Sequence, residues 1–163
     1  MTPAEFILAV LGALPDRKVL GKKRLQKFGM LLQYAGLDFD AGFSLHRYGP
    51  YSSELADAAD ELSWSGKIKE KAEQTGMFGT FQTTYTLPDD HEPPEMLTEP
   101  HKEKLLRLIV FSTIELEVAS TIALFQKEGL DPKGAIAKTC SLKRAKAISP
   151  VLAKAEKILE IVS

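Results

Sequence analysis

The chain has 163 residues, 44% of them hydrophobic and 26% charged, with a formal net charge of −1. That is the make-up of a soluble globular protein, one domain or a small domain with a packed extension, burying about 70% of its unfolded surface without a staple. The single cysteine, Cys140, excludes a disulfide framework and a cysteine-based zinc site, and suits a reducing cytoplasm.

Thr2-Pro3 reads as the N-cap and first position of a helix carrying Phe6, Ile7, Val10, Leu11 and Leu14 at helical spacing, ended by Pro15. The start lacks the basic region of a signal peptide. A second helix is predicted from about Lys22 to Ala35, closed by Gly36. Its apolar face is Leu25, Phe28, Gly29, Leu32 and Ala35, and its outward stripe is Lys23, Lys27, Met30 and Tyr34. Phe43 to Tyr48 reads as a short strand broken by Gly49-Pro50. Ser52 or Ser53 then caps a third helix, with Glu54 at its positive end. Lys67 to Glu73 and Thr80 to Leu87 read as a β-hairpin turning across Gly76 and Gly79.

Residues 88–100 hold Pro88, Pro93, Pro94 and Pro100 among acidic residues and read as a linker. Beyond it the pattern is helical: one long helix over Lys102–Lys127, another starting at Asp131-Pro132, and a last at Ser149-Pro150. The long helix is apolar nearly all round, so it must be covered nearly all round, by the rest of the chain or partly by a second subunit in a homodimer. Arg107, Glu115 and Glu117 exclude its apolar stretch as a membrane span. The fold class is therefore α+β. A winged-helix-like module over 1–87, with an extra strand before its third helix, packs against a helical module over 101–163.

Three segments stand out together: Gly21-Lys22-Lys23-Arg24-Leu25-Gln26-Lys27, Arg47-Tyr48-Gly49-Pro50-Tyr51-Ser52-Ser53-Glu54-Leu55, and Glu115-Leu116-Glu117-Val118-Ala119-Ser120-Thr121-Ile122. With them the chain resembles the YwgA-type family of uncharacterised proteins. More distantly it is similar to the Panacea group of SocA-like antitoxins and proteolysis adaptors. The resemblance implies a winged-helix-like front and a helical back, and no established activity.

The chain is basic at both ends and acidic in the middle, a pattern suited to meeting another macromolecule. The densest basic stretch, Arg17, Lys18, Lys22, Lys23, Arg24 and Lys27, has the charge for phosphate contacts. The third helix argues against DNA reading in the usual groove, because its outward face is Asp57, Asp60, Glu61 and Trp64, with no cation from Ser52 to Ser65. Trp64 either anchors a protein contact or packs beneath the hairpin. Arg47, Tyr48 and Tyr51 concentrate donors and rings around a backbone restricted by Pro50. They form a docking site, or else cover the junction between modules while Arg47 pairs with the third helix. Glu115 and Glu117, in an apolar helix, are expected to be paired with a Lys or Arg.

No catalytic motif, phosphate loop or metal-ligand spacing is present, and no cofactor is implied. His91, Glu92, Glu95, Glu99 and His101 lie in the linker with nothing to hold a metal geometry. The expectation is a cytoplasmic, non-enzymatic regulator or adaptor, off the membrane, binding a protein partner through Arg47, Tyr48, Tyr51, Trp64, Met30 and Tyr34. The alternative is a DNA-binding regulator using Lys22, Lys23, Arg24 and Lys27 of the second helix together with the β-hairpin.

Overall fold

The computed structural model describes residues 1–75 and 79–163, with the side chain of Thr75 left aside. Thr2 and Glu5 close a reciprocal capping box at the start of α1 (Pro3–Ala13), each side chain accepting from the other's backbone amide. Pro15 stops that helix. The chain turns through Pro15–Arg17 into a three-residue strand, β1 (Lys18–Leu20), which no periodicity announces. Next comes α2 (Lys22–Tyr34), and beyond its last turn Gly36 takes a φ of +98°, which favours glycine.

Where one strand was expected over Phe43–Tyr48, there are two. β2 (Ser44–His46) and β3 (Gly49–Tyr51) pair antiparallel, with Leu45 opposite Pro50 and His46 opposite Gly49, leaving Arg47 and Tyr48 as the hairpin tip. Gly49-Pro50 continues the hairpin instead of ending it, because a proline needs no ladder amide on a two-stranded edge. Ser52 then caps α3 (Ser53–Trp64), its hydroxyl accepting from the Leu55 amide. β4 (Lys69–Thr75) and β5 (Thr80–Thr86) form the expected hairpin. β5 lies between β4 and β1, giving a three-stranded antiparallel sheet in the order β1-β5-β4. Of the two turn glycines, Gly76 lies outside the described residues.

Residues 88–100 carry no helix or strand. The segment is fastened to the front: the Arg17 guanidinium donates to the carbonyls of Leu87, Pro88 and His91, and Leu97 is buried.

The long helix expected over Lys102–Lys127 is two helices, α4 (His101–Leu108) and α5 (Thr113–Lys127). Ser112 and Glu115 form a second capping box and restart the helix. At the break, Arg24 donates from Nη1 to the Phe111 carbonyl at 2.8 Å and from Nη2 to the Ile109 carbonyl at 2.7 Å. α6 (Pro132–Leu142) begins at the Asp131 cap, and α7 (Ser149–Val162) completes the chain as described.

Every residue of α5 from Leu116 to Phe125 is buried. α2 and β3 pack on it, as do α6 and α7. This is the all-round cover that its composition demands. The class is α+β, with helices predominating over two small antiparallel sheets. Among the described residues no helix is long and apolar enough to cross a membrane.

Candidate functional site

α2 is shared between two packing surfaces, and this decides the fate of its charged stripe. One side meets β1, β5 and the core around Phe39 and Leu55, and the other meets α5. Of the stripe Lys23, Lys27, Met30 and Tyr34, only Lys23 stays exposed, so Met30 and Tyr34 do not present the partner-binding face expected of them. Met30 is 0% exposed and Lys27 is 2% exposed. The partly buried Tyr34 hydroxyl donates to Gln126 Oε1 at 2.6 Å. Arg24 is likewise engaged with the two carbonyls at the α4–α5 break. Of the basic stretch Lys18, Lys22 and Lys23 stay exposed, and Lys22 is 3.3 Å from Glu70.

Lys27 runs inward to donate from Nζ to the Pro50 carbonyl at 3.1 Å. Burial lowers its pKa to about 8, opposed by Glu117 and assisted by the cations Lys143, Lys23 and Lys146. Beside it, Glu117 is buried and receives Lys143 at 2.6 Å and Lys146 at 3.0 Å. Burial alone would raise the Glu117 pKa; the two lysines overcome it and hold the carboxyl below its ordinary range. The expected lysine pairing thus applies to Glu117, while Glu115 serves the helix cap.

The hairpin tip closes over this cluster. Lys23 Nζ sits 3.3 Å from the centroid of the Tyr48 ring, with Lys146 Nζ at 5.2 Å and the Arg47 guanidinium carbon at 5.6 Å. The negative face of one ring is therefore surrounded by three cations. His46 stacks on Tyr51 at 4.6 Å. Gln26 fixes the root of the hairpin: its amide donates to the Ser52 carbonyl and accepts from the Ser52 amide, an edge-on pairing of α2 with the β3–α3 junction.

Together these elements enclose a cavity of about 380 Å³ between α2, the hairpin and α3. Arg47, Tyr48 and Tyr51 line it together with Lys22, Lys23 and Lys27. Residues assigned from sequence to rival partners thus share one site. Leu25, Leu55 and Ala59 form its apolar wall, and Asp60 and Tyr85 also line it. Burial raises the Tyr85 pKa well above its ordinary value. Arg47 makes no ion pair with α3 among the described residues, so the bracket expected there is absent. Trp64 stands apart at 84% exposure, beside a shallow recess with Ile68 and Thr86, and does not tuck under the β4–β5 hairpin. Sequence reasoning missed Lys143, Lys146 and Gln26, whose roles come from contacts distant in the chain. No group of His, Cys, Asp and Glu suited to hold a metal occurs among the described residues.

The chain is similar to the uncharacterized protein YwgA of Bacillus subtilis (strain 168), with 36% identity over 70 residues. The match spans 43% of this chain and 41% of that protein. No family model matches the chain, and no solved structure matches it.

Proposed function

We propose that this chain is a non-enzymatic regulatory or adaptor module that docks an acidic segment of a protein partner at the hairpin tip. The observation that carries this reading is the half-exposed Tyr48 with Lys23, Arg47 and Lys146 around its ring at the mouth of the cavity. Arginine and tyrosine on a short, rigid hairpin lose little entropy on binding and suit an anchor role. The winged-helix-like reading of the front draws on the order α1, β1, α2, α3, β4, β5 with β5 between β1 and β4, the β2–β3 hairpin being an insertion before α3.

DNA binding is the weaker reading, since Arg24 and Lys27 are spent inside the protein and the exposed face of α3 is acidic. The test is capture from native lysate by wild type and by the double variant Arg47→Ala, Tyr48→Ala, both checked for folding by circular dichroism. The expected result is a defined protein held by wild type, released by the double variant and retained by Trp64→Ala. Equal capture by the double variant overturns the site. Capture of nucleic acid alone, falling steeply with salt, overturns the partner class.

A further inference from the structure

The cations of the cavity outnumber the carboxylates that answer them. Lys22 pairs with Glu70, while Lys143 and Lys146 share Glu117. Lys23, Lys27 and Arg47 have no carboxylate within ion-pair distance among the described residues. The excess is costly at Lys27, which is 2% exposed and makes one hydrogen bond, to Pro50. A buried ammonium has three donors to satisfy and loses its hydration, so a single carbonyl leaves it under-compensated. The neighbouring positive charges add repulsion, which together with burial explains its lowered pKa.

The rest of the lining has another character. Leu25, Leu55 and Ala59 back the cavity but are buried, so the surface open to a ligand is the flat one of the stacked His46 and Tyr51. Asp60 carries the only carboxylate lining the cavity, on the α3 side and without a cation partner among the described residues. It disfavours a second anionic group there and accepts from a neutral donor. The volume of about 380 Å³ admits a ring-sized stem as well as an anion.

We infer that the cavity is a binding site for an organic phosphate monoester, its phosphate held by Lys23, Lys27 and Arg47 and its planar stem lying against His46 and Tyr51. Three cations, two of them exposed and without a carboxylate and the third only partly offset by Glu117, match a dianion better than the single charge of a carboxylate, and the Arg47 fork suits the phosphate's paired oxygens. The inference goes beyond protein docking while drawing on residues of the same hairpin tip, Arg47 and Tyr48, which also line the cavity. The same chemistry arises from a free small molecule or from a phosphorylated tyrosine on the partner, and the probes separate the two.

Isothermal titration calorimetry on the full chain is run with phenyl phosphate, adenosine monophosphate, a phosphotyrosine peptide, inorganic phosphate and benzoate. Phenyl phosphate is expected to bind about tenfold tighter than inorganic phosphate or benzoate. A further gain with the nucleotide assigns the free source; a gain with the peptide assigns the protein source. Arg47→Ala and Lys23→Ala are each expected to weaken binding about tenfold while the melting temperature holds, and Trp64→Ala is expected to leave it unchanged. Absence of binding by every monoester overturns the inference. So does phenyl phosphate binding that is no tighter than inorganic phosphate, or is indifferent to Arg47 and Lys23. Partner capture that survives loss of phosphate binding leaves the docking site standing and removes only this ligand.

Discussion

A β-carbon on Gly49 would stand 3.1 Å from Cγ of Glu117, so the hairpin backbone rests directly on the buried carboxylate side chain of α5. The same carbon would meet Thr121 Oγ1 at 3.2 Å and Lys27 Nζ at 3.4 Å, and the φ of Gly49 is +91°. Gly49→Ala therefore suffers both backbone strain and crowding from three side chains. A loss of about 2–3 kcal/mol is expected in urea denaturation. A cost within error of zero would mean that the hairpin shifts freely on α5.

Glu117 offsets Lys143 and Lys146 and lies close enough to favour the charge on Lys27. Glu117→Gln should cost about 3 kcal/mol at neutral pH, since it leaves the cations facing one another. The folded pKa of Glu117 lies below its ordinary 4.5, so its contribution is present above that value and lost as pH falls through the folded pKa. Acid titration of stability should show a loss in wild type below pH 4.5 that is smaller in Glu117→Gln.

Lys27 acts in the opposite direction. Its pKa falls from 10.5 when unfolded to about 8 in the fold, so between these values the unfolded chain binds the extra proton. Stability should rise with pH across that window, by up to about 3 kcal/mol from this group. Burial is the largest cause of the shift; of the charges that face Lys27, Glu117 opposes it and Lys143, Lys23 and Lys146 add to it. Tyr85, with its raised pKa, opposes the trend only above about pH 10, where its stabilisation is lost. Chemical denaturation of wild type and Lys27→Met from pH 7 to 10 checks this: the rise should vanish in the variant.

Arg24→Lys keeps the charge but loses the fork that holds the Ile109 and Phe111 carbonyls. A cost of about 1–2 kcal/mol is expected. Hydrogen exchange should quicken at residues 109–116, where the last turn of α4 meets the Ser112 cap. Unchanged exchange there would show that the cap alone fixes the break.

Trp64→Ala should change stability by less than about 0.5 kcal/mol, because the ring is 84% exposed. As the only tryptophan, it should already emit near the wavelength of the unfolded chain and quench readily with iodide. A blue-shifted emission would place the ring under cover.

Much of the architecture is legible from local chemistry. Thr2-Pro3, Ser52, Gly36 and Asp131-Pro132 mark helix ends through their own caps and conformational limits, and each does so in the fold. The strand β1 is not legible, because three residues carry no period and Val19 becomes a strand residue only by pairing with Tyr85. The break at Ser112 is written as Ser-Thr-Ile-Glu, but the apolar residues on both sides hide it within one continuous helical pattern. Lys27 and Met30 mislead for a different reason. A lysine reads as solvent-facing unless its partners are known, and those partners lie on β3 and α5, far along the chain. The hairpin tip is the part of the site that sequence points to most directly, since Pro50 restricts Gly49 and Arg47 and Tyr48 flank them.

The cover over α2 arrives late in synthesis. A nascent chain that has made the first three helices and the β4–β5 hairpin still holds Met30 and the inward-facing Lys27 without α5 over them, and Lys143 is more than a hundred residues behind Lys27 on the ribosome. Pairing over such separations is slow, and an uncovered apolar helix face attracts other chains in the interval. A charged lysine within that face breaks its apolar run until the α5 carboxylate comes to meet it, the kind of placement that interrupts aggregation-prone surface.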